Sequence, residues 1–160
     1  MSLKRDALIL SVAFVISFTT AGIGSALTDL GPWYQALKQP DWKPPDTAFG
    51  VIWSTIFTLG AFSGWLAWRQ APLLRERLVV LVVFLINLCL NVLWSWLFFV
   101  QHRPDWALVE LYFLWASIVA MMVVSWRHSR VAAVLLVPYL AWVTTAGFLN
   151  QANIQLNGPF

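Results

Sequence analysis

Five apolar runs, each about long enough to cross a bilayer, constrain this chain more than any other feature. They cover approximately Ala7–Leu27, Phe49–Trp68, Leu78–Val100, Trp106–Trp126 and Val131–Leu149. A helix rises 1.5 Å per residue, so ~20 residues span a hydrocarbon core of ~30 Å. Only 11% of residues are charged and 60% are hydrophobic, whereas a soluble domain carries about 25% charge. The expected fold is all-α: one domain over residues 1–160, an integral membrane bundle of five transmembrane helices. The first run follows Lys4 and Arg5 and is longer than a signal peptide's apolar core. It reads as a retained helix despite the cleavage-like Gly24-Ser25-Ala26. The single Cys89 excludes an intrachain disulfide or a cysteine metal cluster, and reads as a small buried apolar residue.

Short connectors force neighbouring helices to run up and down. Lys4, Arg5, Arg69, Arg75, Arg77, Arg127 and Arg130 then fall on one side, and Lys38, Lys43 and Arg103 on the other. The excess of basic residues predicts a cytoplasmic N-terminus, with the first loop and the C-terminus outside. That first loop, residues 28–48, is the one long connector. Pro32, Pro40, Pro44 and Pro45 stiffen it, and Trp33, Tyr34 and Trp42 give it apolar surface to bury. It reads as a structured lid over the mouth of the bundle.

Helical spacing sorts the polar and aromatic residues onto faces. Trp53, Phe57, Gly60 and Gly64 form one stripe, with a Gly-x-x-x-Gly pair that permits close helix packing. Asn87, Asn91, Trp94, Ser95 and Phe98 share a face, and the two amides must find partners in the bundle or in a polar cavity. For Asn87 interhelical bonding is the simpler reading, whereas Asn91 fits a pocket wall equally well. Pro138 is expected to kink the fifth helix, which carries Trp142, Thr145, Ala146 and Leu149 on one side. Glu110 reads as an acid at the membrane interface, with internal pairing as the alternative.

The eleven tryptophans divide by depth. Trp68, Trp106 and Trp126 lie at run ends, where indoles anchor at the headgroups. Trp33 and Trp42 belong to the lid, and Trp65, Trp96 and Trp115 to packing or lipid contact. Trp53, Trp94 and Trp142 fall at one depth beneath the lid, close to Asn91. The expected result is an outward-facing cavity of indoles and phenyls with a few polar groups, the character of a small-molecule site. Lys38, Lys43 and Arg103 are expected around its mouth, which would suit a flat apolar ligand with acidic groups.

The same residues resemble the TspO/MBR family of tryptophan-rich sensory or translocator proteins, once called peripheral-type benzodiazepine receptors. The matching pieces are Trp33-Tyr34, Leu37-Lys38, Pro40, Trp42 and Pro44-Pro45, then Trp53 and Phe57, then Asn87 and Asn91, then Pro138-Tyr139, Trp142 and Leu149-Asn150. The resemblance spans nearly the whole chain. It implies a five-helix bundle that is often a homodimer and that binds porphyrins such as protoporphyrin IX. In some members it also implies sterols and synthetic isoquinoline or benzodiazepine ligands. By the resemblance the ligand-binding residues are Trp33, Tyr34, Trp53, Phe57, Asn91, Trp94, Trp142 and Ala146. Residues matching Trp53 and Trp142 are implicated in light-dependent porphyrin breakdown. The Leu…Tyr…Arg sterol motif of animal members has no counterpart after Leu149, where the chain reads Asn150-Gln151-Ala152-Asn153.

Three classes of function remain open at this stage: a receptor, sensor or transporter for tetrapyrroles, a light- and oxygen-dependent porphyrin-degrading enzyme, and a ligand-gated oligomeric regulator. Neither a catalytic triad nor a phosphate loop is apparent. His102 and His128 fall on opposite sides of the membrane and cannot share one haem iron. No metal, required cofactor or nucleic-acid partner is expected, with porphyrin entering as ligand. The odd number of spans and the lack of a repeat argue against an inverted-repeat carrier.

Overall fold

The computed structural model describes residues 3–160. The elements are α1 (Leu3–Leu27), α2 (Pro32–Ala36), α3 (Asp46–Gln70), α4 (Leu74–Ser95) with a π-helical turn over Trp96–Val100, α5 (Pro104–His128), α6 (Arg130–Val134) and α7 (Val137–Asn157). Among the described residues, five helical stretches are long and apolar enough to cross a membrane, the last comprising α6 and α7 together. No strand occurs among the described residues. The chain is therefore an all-α, multi-pass membrane bundle.

Every helix is longer than its apolar run. Helical hydrogen bonding continues through polar residues until something stops it, and the stops are visible in sequence. Pro32 and Pro104 occupy first-turn positions of α2 and α5, where a missing N–H costs nothing. Asp29 Oδ1 accepts the Gly31 N–H at 2.8 Å and sets the turn before α2. Asp46 and Asp105 sit in the first turns of α3 and α5, at the positive end of the helix dipole. The largest correction is at the C-terminus: helix α7 runs to Asn157, not to residue 149. The segment 150–157, beyond the fifth apolar run, is helical and packs inward at Asn150 and Asn153. The loop 28–48 is also partly helical, through α2 and the start of α3.

Helix α5 is central, packing on α4 and α7 and also on α3 and α6. Helix α1 packs on α3 and α4 at the edge. The core comprises Ile56, Leu111, Leu114, Ile118, Tyr139 and Val143, with a smaller cluster of Ala67, Val80 and Ala132 at the other end of the bundle. The expected break at Pro138 is present as the turn between α6 and α7. Leu136 N–H turns to Ala133 O at 3.1 Å, and Ser63 Oγ donates to Ala132 O at 2.8 Å across the bundle. The break thus lets α6 pin to α3 at one end while α7 leans on α5.

Two further expectations change. Gly64 packs closely, since an added Cβ would meet the Phe84 ring at 3.2 Å, but Gly60 faces nothing within 4 Å. The glycine pair is therefore not one continuous packing surface. Cys89 is exposed on α4, not buried.

Candidate functional site

Where α1, α3, α4, α5 and α7 diverge beneath the first loop, they enclose a cavity of about 570 Å³. Its volume is within the ~300–1,000 Å³ usual for small-molecule sites. The end helices supply different walls. Helix α1 contributes mostly small residues, Ala21, Gly22, Gly24 and Ser25, so it gives room and not contact. Gly22 and Gly50 have nothing within 4 Å of where a Cβ would stand. The opposite walls carry the aromatics: Trp53 and Phe57 from α3, Trp94 and Phe99 from the end of α4, Trp142 from α7.

These rings hold one another. Phe49 meets Trp142 edge to face at 5.4 Å, and Trp53 tilts against Phe57 at 5.8 Å. Trp94 stacks on Phe98 at 5.1 Å and meets Phe99 edge-on at 6.0 Å. Such pairs add ~0.5–1.5 kcal/mol beyond area burial and fix ring orientation. The indole N–H groups of Trp94 and Trp142 are buried without a partner.

A polar network underlies the aromatic floor. Asn87 Nδ2 donates to Ser117 Oγ at 2.8 Å, and Tyr139 Oη donates to Asn87 Oδ1 at 3.1 Å. Asn91 Nδ2 donates to Tyr139 Oη at 3.2 Å. The chain of bonds joins α4, α5 and α7. Asn87 is interhelical, as expected, and Asn91 has both roles left open for it, lining the cavity while bonding Tyr139.

Over the mouth, Tyr34, Lys43 and Asp46 form a cluster. Lys43 Nζ donates to Tyr34 Oη at 3.2 Å and pairs with the Asp46 carboxylate. It also lies over the Tyr34 and Phe49 rings, at 5.5 Å and 5.6 Å. Burial pushes the Tyr34 phenol above its ordinary value. Burial also disfavours the Lys43 charge, but its bonds to Asp46 and Tyr34 outweigh that and hold the ammonium above its ordinary value. The cluster keeps its charge and staples the lid to the start of α3.

Of the expected site residues, Tyr34, Trp53, Phe57, Asn91, Trp94, Trp142 and Ala146 all line this one cavity. Trp33 does not. It lies behind the wall, stacked on His102 at 4.1 Å and edge-on to Phe98 at 5.9 Å. His102 reaches it from a left-handed backbone, φ 52°. The expected ring of cations is reduced to Lys43, which borders a smaller adjoining pocket. The backbone of Lys38 is held by Asn157, whose Oδ1 accepts its N–H at 2.7 Å and whose Nδ2 donates to its carbonyl at 3.0 Å. Arg103 pairs with Asp105, Nε to Oδ1 at 2.8 Å, and lies over Trp106 at 5.7 Å. Trp42 is exposed, not tucked into the lid. Glu110 is buried, not interfacial, and both its carboxylate oxygens lack partners. Phe49 and Phe99 belong to the wall and were missed. Phe49 sits four residues before Trp53 and Phe99 four after Ser95, so the helical spacing did carry the signal.

Comparison with known proteins bears on the same residues. The profile of the TspO/MBR family matches residues 8–155. The tryptophan-rich protein TspO of Chlorobaculum tepidum is 37% identical, over 93% of this chain and 97% of its own length. Protein CrtK of Rhodobacter capsulatus is 34% identical over 94% of each chain. The human translocator protein is 34% identical, over 74% of this chain and 70% of its own. The match takes in the first loop and the helices that wall the cavity: the chain belongs to the TspO/MBR family.

Proposed function

We propose that this protein is a membrane receptor, sensor or transporter that binds tetrapyrroles, protoporphyrin IX among them, in the aromatic cavity. The first loop and cavity mouth face away from the cytoplasm, as the distribution of basic residues favours. The observation that carries the reading is the convergence of Trp53, Trp94 and Trp142 on one cavity of about 570 Å³. A flat macrocycle has large apolar faces for indoles to cover. Tyr34, Asn91 and Ser95 in the lining supply sparse polar contacts.

Titration with protoporphyrin IX is expected to quench tryptophan fluorescence saturably. Trp53→Phe and Trp142→Phe should each weaken binding about threefold to tenfold, which corresponds to ~0.7–1.4 kcal/mol. Trp68→Phe should leave affinity unchanged, because Trp68 lies outside the cavity lining. Equal loss in all three variants would place the ligand elsewhere.

A second reading follows from the presence of both Trp53 and Trp142 in the lining of one cavity. A bound porphyrin would lie against both indoles, and its excited state could drive light- and oxygen-dependent degradation of the ligand. The ligand would supply the chemistry and the protein the orientation. Illumination of the loaded protein in air should then give a defined product that disappears in Trp53→Phe or Trp142→Phe. Bleaching at the same rate in wild type and variants would exclude it.

A further inference from the structure

The segment between α1 and α3 lies over the aromatic cavity, and its Leu30 and Tyr34 are part of the lining. Ties of different kinds hold it there. Trp33 packs on His102 and Phe98, where apolar contact resists separation. Lys43 pairs with Asp46 three residues on, so that pair travels with the start of α3. Asn157, the last residue of α7, reaches across and clasps the backbone of Lys38. Its Oδ1 accepts the Lys38 N–H at 2.7 Å and its Nδ2 donates to the Lys38 carbonyl at 3.0 Å. The same Nδ2 donates to Asn153 O at 2.9 Å, so both of its N–H groups are engaged and its own helix aims the amide. A side-chain amide offers one acceptor beside its donors, which matches the N–H and C=O of a single backbone residue. The clasp therefore depends on residue 157 and not on the side chain of Lys38, which is exposed.

We infer that Asn157 is a latch on ligand exchange: when it releases the Lys38 backbone, the stretch from Leu30 to Lys38 lifts and the cavity opens for entry and exit. The inference rests on the tetrapyrrole reading above, since the traffic it governs is that of the cavity's ligand. Both clasp bonds are exposed, so water competes for the same groups. A net factor of roughly two to twelve per bond keeps such a contact closed most of the time and still lets it open readily. Asn157 does not line the cavity, so it has no contact there by which to favour the loaded protein over the empty one. A group with no differential contact with the ligand cannot shift the binding equilibrium. It can set how often the lid opens, and it then changes entry and exit by the same factor.

The test follows tryptophan quenching by protoporphyrin IX in stopped flow, with exit read by mixing the loaded protein with excess phosphatidylcholine vesicles. Asn157→Leu removes both clasp bonds and should speed entry and exit by about tenfold each, with affinity changed by less than about twofold. Asn157→Asp keeps an acceptor for the Lys38 N–H but loses the donor to its carbonyl. Its rates should fall between wild type and Asn157→Leu, and it serves if Asn157→Leu does not fold. Amide hydrogen exchange reads the clasp without ligand: the Lys38 N–H should exchange faster in Asn157→Leu, and the amides of α3 should not. Wild-type rates in both variants, or an unchanged Lys38 amide, overturn the latch and leave the cavity reading standing. Faster exit with unchanged entry also overturns it, because Asn157 would then act on the loaded state alone. Quenching that does not saturate in wild type overturns the tetrapyrrole reading and the latch with it.

Discussion

Ala146→Phe is expected to abolish porphyrin binding, with affinity reduced by about a hundredfold or more and thermal stability in detergent little changed. Ala146 lines both the aromatic cavity and a smaller pocket beside it, so a ring there takes up space in both. Overpacking a filled core costs ~1–3 kcal/mol, but this side chain enters space that is already open. A ligand and a phenyl ring cannot share that space, and a hundredfold loss corresponds to ~2.7 kcal/mol. Ala141→Phe makes the same chemical change on the exposed side of α7 and should have no effect on binding. Saturable quenching at wild-type affinity in Ala146→Phe would place the site outside this cavity.

The residues that could be read in advance were those whose role follows from helical spacing and depth alone. Trp53, Trp94 and Trp142 fall at one depth on faces already fixed by Phe57, Asn91 and Ala146, and all of them line the cavity. Pro138 announced the break in the last span because a missing N–H has local consequences. What escaped was set by contacts between distant segments. Trp33 belongs to the lid segment, but it stacks behind the wall on His102, 69 positions away in sequence. The clasp of Asn157 on the Lys38 backbone joins residues 119 positions apart and leaves no local mark in the sequence. Hydropathy also hid Asn150 and Asn153. A run of polar residues after an apolar one reads as tail, yet the helix continues and turns these amides inward. Glu110 shows the same limit: its charge placed it at the surface, whereas its position between buried Ala107 and Leu111 on α5 takes it into the bundle.

Asn87→Leu should have the opposite profile to Ala146→Phe: stability falls and binding holds. Asn87 is 1% exposed and makes two side-chain bonds, to Ser117 of α5 and from Tyr139 of α7. Leucine fills a similar volume but leaves the Tyr139 hydroxyl without its acceptor. Interhelical hydrogen bonds in membrane bundles average ~0.6 kcal/mol and reach ~1.7, so losing two should cost about 1–3 kcal/mol in denaturing-detergent unfolding. Tyr139→Phe also removes two bonds, to Asn87 and from Asn91, and should cost a similar amount, although Asn87 keeps its bond to Ser117. The double variant should be less destabilised than the sum of the two, since one bond is shared between them. Strict additivity would mean that the 3.1 Å bond between Tyr139 and Asn87 contributes nothing. Asn87 does not line the cavity, so porphyrin affinity should change less than about threefold where the protein is folded. A large loss of affinity in Asn87→Leu, with stability intact, would instead make the network part of the ligand site, not the framework that holds α4, α5 and α7 around it.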